Sequence, residues 1–98
     1  MKGGNKKMDW KQENDIEKIL QHSTSKQQKI IAIEELSELI KEITKDLRGK
    51  ESNILEEYCD CLIMLKQIEL IYNLKYEDII NTINNKINRT FERLGIKN

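Results

Sequence analysis

Residues 33–47 read Ile33-Glu34-Glu35-Leu36-Ser37-Glu38-Leu39-Ile40-Lys41-Glu42-Ile43-Thr44-Lys45-Asp46-Leu47, with apolar side chains at the three- and four-residue spacing of one helix face. At roughly 100° per residue, Glu35 and Glu38 fall on the shoulder of the stripe Leu36, Leu39, Ile40, Ile43 and Leu47. A second segment repeats the arrangement. Glu57 and Asp60 of Glu57-Tyr58-Cys59-Asp60 flank the stripe Ile54, Tyr58, Cys61, Leu65, Ile68 and Tyr72. Met64 and Ile71 continue the carboxylates' own line along that helix, so the line is expected to be half-buried rather than solvated.

The surrounding sequence extends this helical pattern. Asp9, with Gln12 three residues on, forms a capping-box signature for a first helix reaching about Gln21, with Trp10, Ile16, Ile19 and Leu20 on its apolar side. Ser25 with Gln28 reads as a second capping box, opening a helix that ends near Leu47 at the turn Arg48-Gly49-Lys50. A third helix is expected from about Ser52 to Tyr72. Asn73 ends it, and a short link leads to a fourth carrying Tyr76, Ile79, Ile80, Ile83, Ile87, Thr90, Phe91 and Leu94, closed by Gly95. The domain is expected over 9–95, with a flexible tail at 1–8 and a short one at 96–98. His22 sits at a helix end, where capping is its expected role.

Composition agrees with an all-α fold. The chain of 98 residues has no Pro, four Gly, 38% hydrophobic and 35% charged residues, which suits long amphipathic helices. With 17 basic and 17 acidic residues it has no net charge, so no global field recruits nucleic acid or an anionic membrane. It has neither a membrane-length apolar run nor a signal-peptide core, and reads as cytoplasmic. Cys59 and Cys61 are two apart on a helix and point in different directions, so they read as small packing residues. A single domain of this size buries only about 60–65% of its unfolded surface, which favours completion by dimerisation.

Short connections make consecutive helices antiparallel neighbours, so helices two and three are expected to form a hairpin with Glu35 and Glu38 facing Glu57 and Asp60. The helix climbs on the two sides of the turn differ by about one turn at 1.5 Å per residue, a mismatch for the loop and tilt to absorb. Two unit charges about 5 Å apart at an effective dielectric of about 20 repel by roughly 3 kcal/mol, so four converging carboxylates call for a positive charge among them. Hard oxygen ligands without nearby imidazole or thiolate pairs favour Mg2+ or Mn2+. The single His excludes a ferritin-like di-iron site built on two Glu-x-x-His motifs.

Glu-x-x-Glu, a spacer and Glu-x-x-Asp on two helices of an all-α chain resemble the MazG-like nucleoside triphosphate pyrophosphohydrolases. Ile33-Glu34-Glu35-Leu36-Ser37-Glu38-Leu39 and Glu56-Glu57-Tyr58-Cys59-Asp60-Cys61-Leu62 carry the likeness, and Lys86, Arg89 and Arg93 resemble the basic segment of that family's last helix. The resemblance implies a four-helix MazG-like bundle working as a dimer or dimer of dimers. It also implies Mg2+-dependent hydrolysis between the α and β phosphates of a nucleoside triphosphate, releasing monophosphate and pyrophosphate. Glu35, Glu38, Glu57 and Asp60 would then hold metal, and either Glu38 or Glu34 would position the attacking water. Lys86, Arg89, Arg93 and Asn85, with Arg48 and Lys50 as a second clamp, would meet the phosphates, and Trp10 would stack on the base.

Each motif also has a plainer reading. Glu-x-x-Glu alone is common on surface helices, and the basic run on the last helix also compensates its dipole. Glu34 points away from the apolar centre, while Glu42 extends the acidic line by one turn; neither needs a chemical role on this reading. The competing function is a non-catalytic helical dimer that binds nucleotides or a protein partner.

Overall fold

The computed structural model describes residues 8–97. Among them every regular element is a helix: α1 (Trp10–Gln21), α2 (Ser25–Leu47), α3 (Ile54–Ile71) and α4 (Tyr76–Leu94). Residues 1–7 of the expected tail and Asn98 lie outside the described residues.

Local chemistry sets the boundaries. Asp9 caps α1 by accepting from the Gln12 amide at 2.8 Å, and Gln12 Oε1 accepts from the Asp9 amide at 3.0 Å. The capping box of α2 belongs to Thr24 and Gln27 rather than to Ser25 and Gln28. Thr24 has the extended backbone that a cap requires, while Ser25 is already helical and Gln28 turns inward and is buried. Gly49 and Asn73, at φ 73° and 54°, end α2 and α3 in the left-handed conformation. In each case the next amide bonds five residues back, Lys50 to the Lys45 carbonyl at 3.0 Å and Leu74 to Glu69 at 2.9 Å.

Helices α2 and α3 form the hairpin at the centre of the fold. The Cys61 thiol donates to the Glu35 carbonyl at 3.3 Å, and the Asn53 amide donates to Glu42 Oε1 at 2.8 Å. As one index rises the other falls, so the helices run antiparallel. The one-turn mismatch disappears because residues 50–53 are not helical: they run back along α2 before α3 begins. Glu42 is buried and caps this return, with Lys45 Nζ 3.0 Å from its other oxygen. Its role is thus to set the register of the hairpin, beyond the simple extension of an acidic line.

The helices pack along the expected half-buried carboxylate line, but the apolar stripes beside it do not join the core as expected. Gln28, Ala32 and Glu42 on α2 and Cys61, Met64 and Gln67 on α3 are buried, with half-buried Glu35, Leu39, Glu57 and Asp60 among them. This is the carboxylates' own line. Most of the apolar stripes remain in solvent, with Ile40 65% and Leu47 82% exposed, and Leu36, Ile43, Ile54, Tyr58, Leu65 and Tyr72 also exposed. Helix α1 lies on α3 through Ile16, and Lys66 of α3 meets Glu13 at 3.8 Å. Trp10, expected on the apolar side of α1, is 75% exposed. Among the described residues helix α4 has no buried side chain and no closely packed helix partner.

Candidate metal centre

The antiparallel register places residue 35 level with residue 60 and residue 38 level with residue 57, so each acidic pair looks across the hairpin at the other. One carboxylate oxygen from each of Glu35, Glu57 and Asp60 lies within 4.8 Å of the other two. Opposite ligands of a six-coordinate Mg2+ at about 2.1 Å stand about 4.2 Å apart, so small side-chain rotations bring these oxygens to binding distance.

The electrostatics also fit a cation. Burial, then the charges of Asp60, Glu38 and Glu34, raise the pKa of Glu35 above its ordinary value. Burial, then Asp60, Glu35, Glu38 and Glu56, do the same to Glu57. Each of these neighbouring charges is negative. The Cys61 thiol beneath them is pushed up by burial, then by Glu35, Glu57 and Asp60, so it serves as a neutral packing group and donor rather than a thiolate ligand. Glu57 Oε1 is buried and has no hydrogen-bond partner among the described residues. Native proteins rarely leave such an atom unsatisfied, and a hard cation is the group this donor set suits.

Residues 21–93 match the MazG nucleotide pyrophosphohydrolase domain. The chain belongs to this family. Neither the curated proteins nor the solved structures compared with it contain a match. The hairpin with its three carboxylates and the whole of α4 up to Arg93 lie inside the matched stretch of the MazG domain.

The remaining anticipated site residues are distributed unevenly over this MazG domain. Glu38 stands beside the three-carboxylate group, close enough to act on Glu35 and Glu57 through its charge, and pairs with Lys41 at 3.7 Å. Glu34 is exposed, and its charge acts on Glu35. Asn85, Lys86, Arg89 and Arg93 are exposed on α4, a helix not closely packed on the carboxylate-bearing pair. Arg48 and Lys50 are exposed at the hairpin turn, with Arg48 about 15 Å along α2 from Glu38 at 1.5 Å per residue. His22 caps α1, its ring Nδ1 3.0 Å from the Lys18 carbonyl.

Sequence reasoning undervalued Glu42, although a signal for it existed. Gln28, Glu35 and Glu42 recur at intervals of seven, the spacing of a helix seam.

Proposed function

We propose that this protein is a Mg2+-dependent nucleoside triphosphate pyrophosphohydrolase of the cytoplasm, with Mn2+ as a substitute, acting on ribo- or deoxynucleotides as a homodimer or dimer of dimers. The observation that carries the proposal is the convergence of the Glu35, Glu57 and Asp60 carboxylates, one of which, Glu57, has a buried oxygen with no hydrogen-bond partner among the described residues. Membership of the MazG family supports the reaction type.

In this reading Glu35, Glu57 and Asp60 hold the metal and Glu38 lies at its edge. When bound, the metal lowers the pKa of a coordinated water and offsets charge on the phosphate oxygens. Glu38 orients the water and takes its proton on a carboxylate oxygen as the water oxygen bonds to the α phosphorus. The bond from that phosphorus to the α–β bridging oxygen breaks, and pyrophosphate leaves. Half-burial and a charge felt at both Glu35 and Glu57 favour Glu38 for this role over the exposed Glu34. Lys86, Arg89 and Arg93, with Asn85, supply phosphate contacts, since two cations three apart on a helix share a face. Arg48 and Lys50 form the second clamp, and exposed Trp10 offers a stacking surface.

The test is turnover of a panel of ribo- and deoxynucleoside triphosphates with Mg2+ and with Mn2+, resolving monophosphate and pyrophosphate from diphosphate and phosphate. Monophosphate and pyrophosphate are expected, with Glu38→Gln and Asp60→Asn each abolishing turnover while helical circular dichroism is unchanged. Diphosphate as the product, or full activity in both variants, rejects the assignment.

A further inference from the structure

The hairpin seam carries polar residues in two series with the same step. On α2 they are Gln28, Glu35 and Glu42; on the opposing side they are Asn53, Asp60 and Gln67. Seven residues separate each from the next, two helical turns or about 10.5 Å. The antiparallel register that sets residue 35 level with residue 60 also sets 42 level with 53 and 28 level with 67. The Asn53 amide on Glu42 Oε1 at 2.8 Å is the second of these pairings. The carboxylate group is therefore the middle of three polar layers, with Glu42 and Asn53 on one side and two glutamines on the other.

The metal site uses neither glutamine, yet both are deeply buried. Gln67 is 1% exposed, the most enclosed side chain of the seam, and Gln28 is 6% exposed. Gln28 Nε2 donates to Ser23 Oγ, which ties this layer to the link between α1 and α2. Gln67 Oε1 is buried with no hydrogen-bond partner among the described residues. Burying a primary amide on such terms opposes folding, and a methionine fills a similar volume without that penalty. Stability alone therefore does not account for Gln67.

We infer that Gln28 and Gln67 are positioning residues, which lock the sliding register of α2 on α3 and so hold Glu57 and Asp60 level with their partners on α2. The apolar members of the seam, Ala32, Leu39, Cys61 and Met64, are small or pliant, and such residues repack after a slip with little loss. Polar layers do not. A slip of four residues, about one turn, sets Gln67 against Ala32 and Asp60 against Leu39, pressing an amide and a carboxylate onto hydrocarbon. It also brings Glu57 against buried Glu42 and takes Asn53 away from it. The opposite slip sets Asp60 against Ile31 and moves Gln67 off Gln28 to the end of α2. Repulsion among Glu35, Glu57 and Asp60 favours any such escape, so a lock on each side of the carboxylates has work to do. A buried polar position that fixes the register of paired helices is a known use of such residues. The register lock stands on the seam alone; its consequence for metal binding rests on the hydrolase reading above.

Gln67→Met tests the inference on the full chain through melting temperature, exchange of the Asn53 amide proton by NMR, and Mg2+ binding by calorimetry. The variant should melt at or above the wild-type temperature, because an unpartnered amide leaves the core. Exchange of the Asn53 amide, whose bond to Glu42 marks the native register, should nevertheless accelerate at least fivefold. The Mg2+ dissociation constant should rise at least tenfold. Met64→Leu, a buried apolar change in the same seam, should leave both readouts within twofold. Exchange and Mg2+ affinity both unchanged in Gln67→Met overturn the inference, and equal effects from Met64→Leu reduce Gln67 to plain packing and overturn it too. Should Gln67→Met fail to fold, Gln28→Met removes the same layer from the other side, with the same outcomes expected. In a folded double variant the two effects should not add; full additivity overturns the shared layer. Faster exchange with unchanged Mg2+ affinity upholds the lock and overturns its link to the site. A wild-type chain that binds no Mg2+ rejects the metal site, and the Asn53 exchange then decides the register by itself.

Discussion

Separating metal ligands from their neighbours is possible without any turnover, because a cation bound to the native state raises the melting temperature by mass action. At a free Mg2+ concentration 100 times its dissociation constant the stabilisation is about 2.7 kcal/mol. Unfolding entropy of about 2.1 cal/mol/K per residue, taken over residues 8–97, converts this into a rise of about 14 °C. At ten times the dissociation constant the rise is about 7 °C. The geometry then divides the carboxylates: Glu57→Gln and Asp60→Asn each remove one of the three converging ligands and should abolish the rise. Glu38→Gln, outside that group, should retain more than half of it while losing turnover. Without metal, Glu57→Gln should melt above wild type, because it removes a charge that burial and acidic neighbours penalise. Circular dichroism at 222 nm, with NaCl matching the ionic strength of the MgCl2 series, gives the readout. A full Mg2+ shift in Glu57→Gln, or an equal shift from NaCl in wild type, would refute the assignment.

Two further outcomes follow from the same electrostatics. Folded-state pKa values of Glu35 and Glu57 are raised from an ordinary 4.5, so the native state holds protons that the unfolded chain has released. Metal-free stability should therefore fall as pH rises from about 4.5 through the raised values, and Mg2+ should offset that fall; denaturant midpoints from pH 4 to 8 test it. Glu42 behaves oppositely, its pKa lowered by the Asn53 amide, then by Lys45, so its contribution is lost as pH drops through its depressed value, below 4.5. Glu42→Ala should lower the melting temperature and reduce turnover while leaving some Mg2+-induced shift, whereas unchanged melting would show that the cap does not set the register.

How much of this was legible in the sequence depended on the range of the interaction. Helix limits were readable to within two residues at Leu47, Gly49, Asn73 and Gly95, because caps and left-handed residues are local chemistry. The second capping box was misplaced by one residue, since Thr24 and Ser25 are both competent caps and only the backbone angle distinguishes them. The facing of the acidic pairs was also readable, because a short turn leaves an antiparallel hairpin few registers. Glu42 was not: its partner is a backbone amide in the return of the loop, and amides carry no sequence signature.

The exposure of the apolar stripes has a different cause. Apolar periodicity reports which side of a helix leaves water, not which neighbour covers it. On α2 two lines carry the helical period: Gln28, Ala32, Glu35, Leu39 and Glu42, which α3 covers, and Ile33, Leu36, Ile40, Ile43 and Leu47, which stay exposed among the described residues. The greasier line looked like the intramolecular core, and a core of one chain would normally use it. Here the more polar line is the internal one, because the carboxylates must lie between α2 and α3 to converge. The stronger apolar stripe is thereby left on the adjacent face, exposed among the described residues. The carboxylate cluster inside the hairpin and the exposed apolar face beside it are thus consequences of the roughly 100° offset between neighbouring lines of a helix.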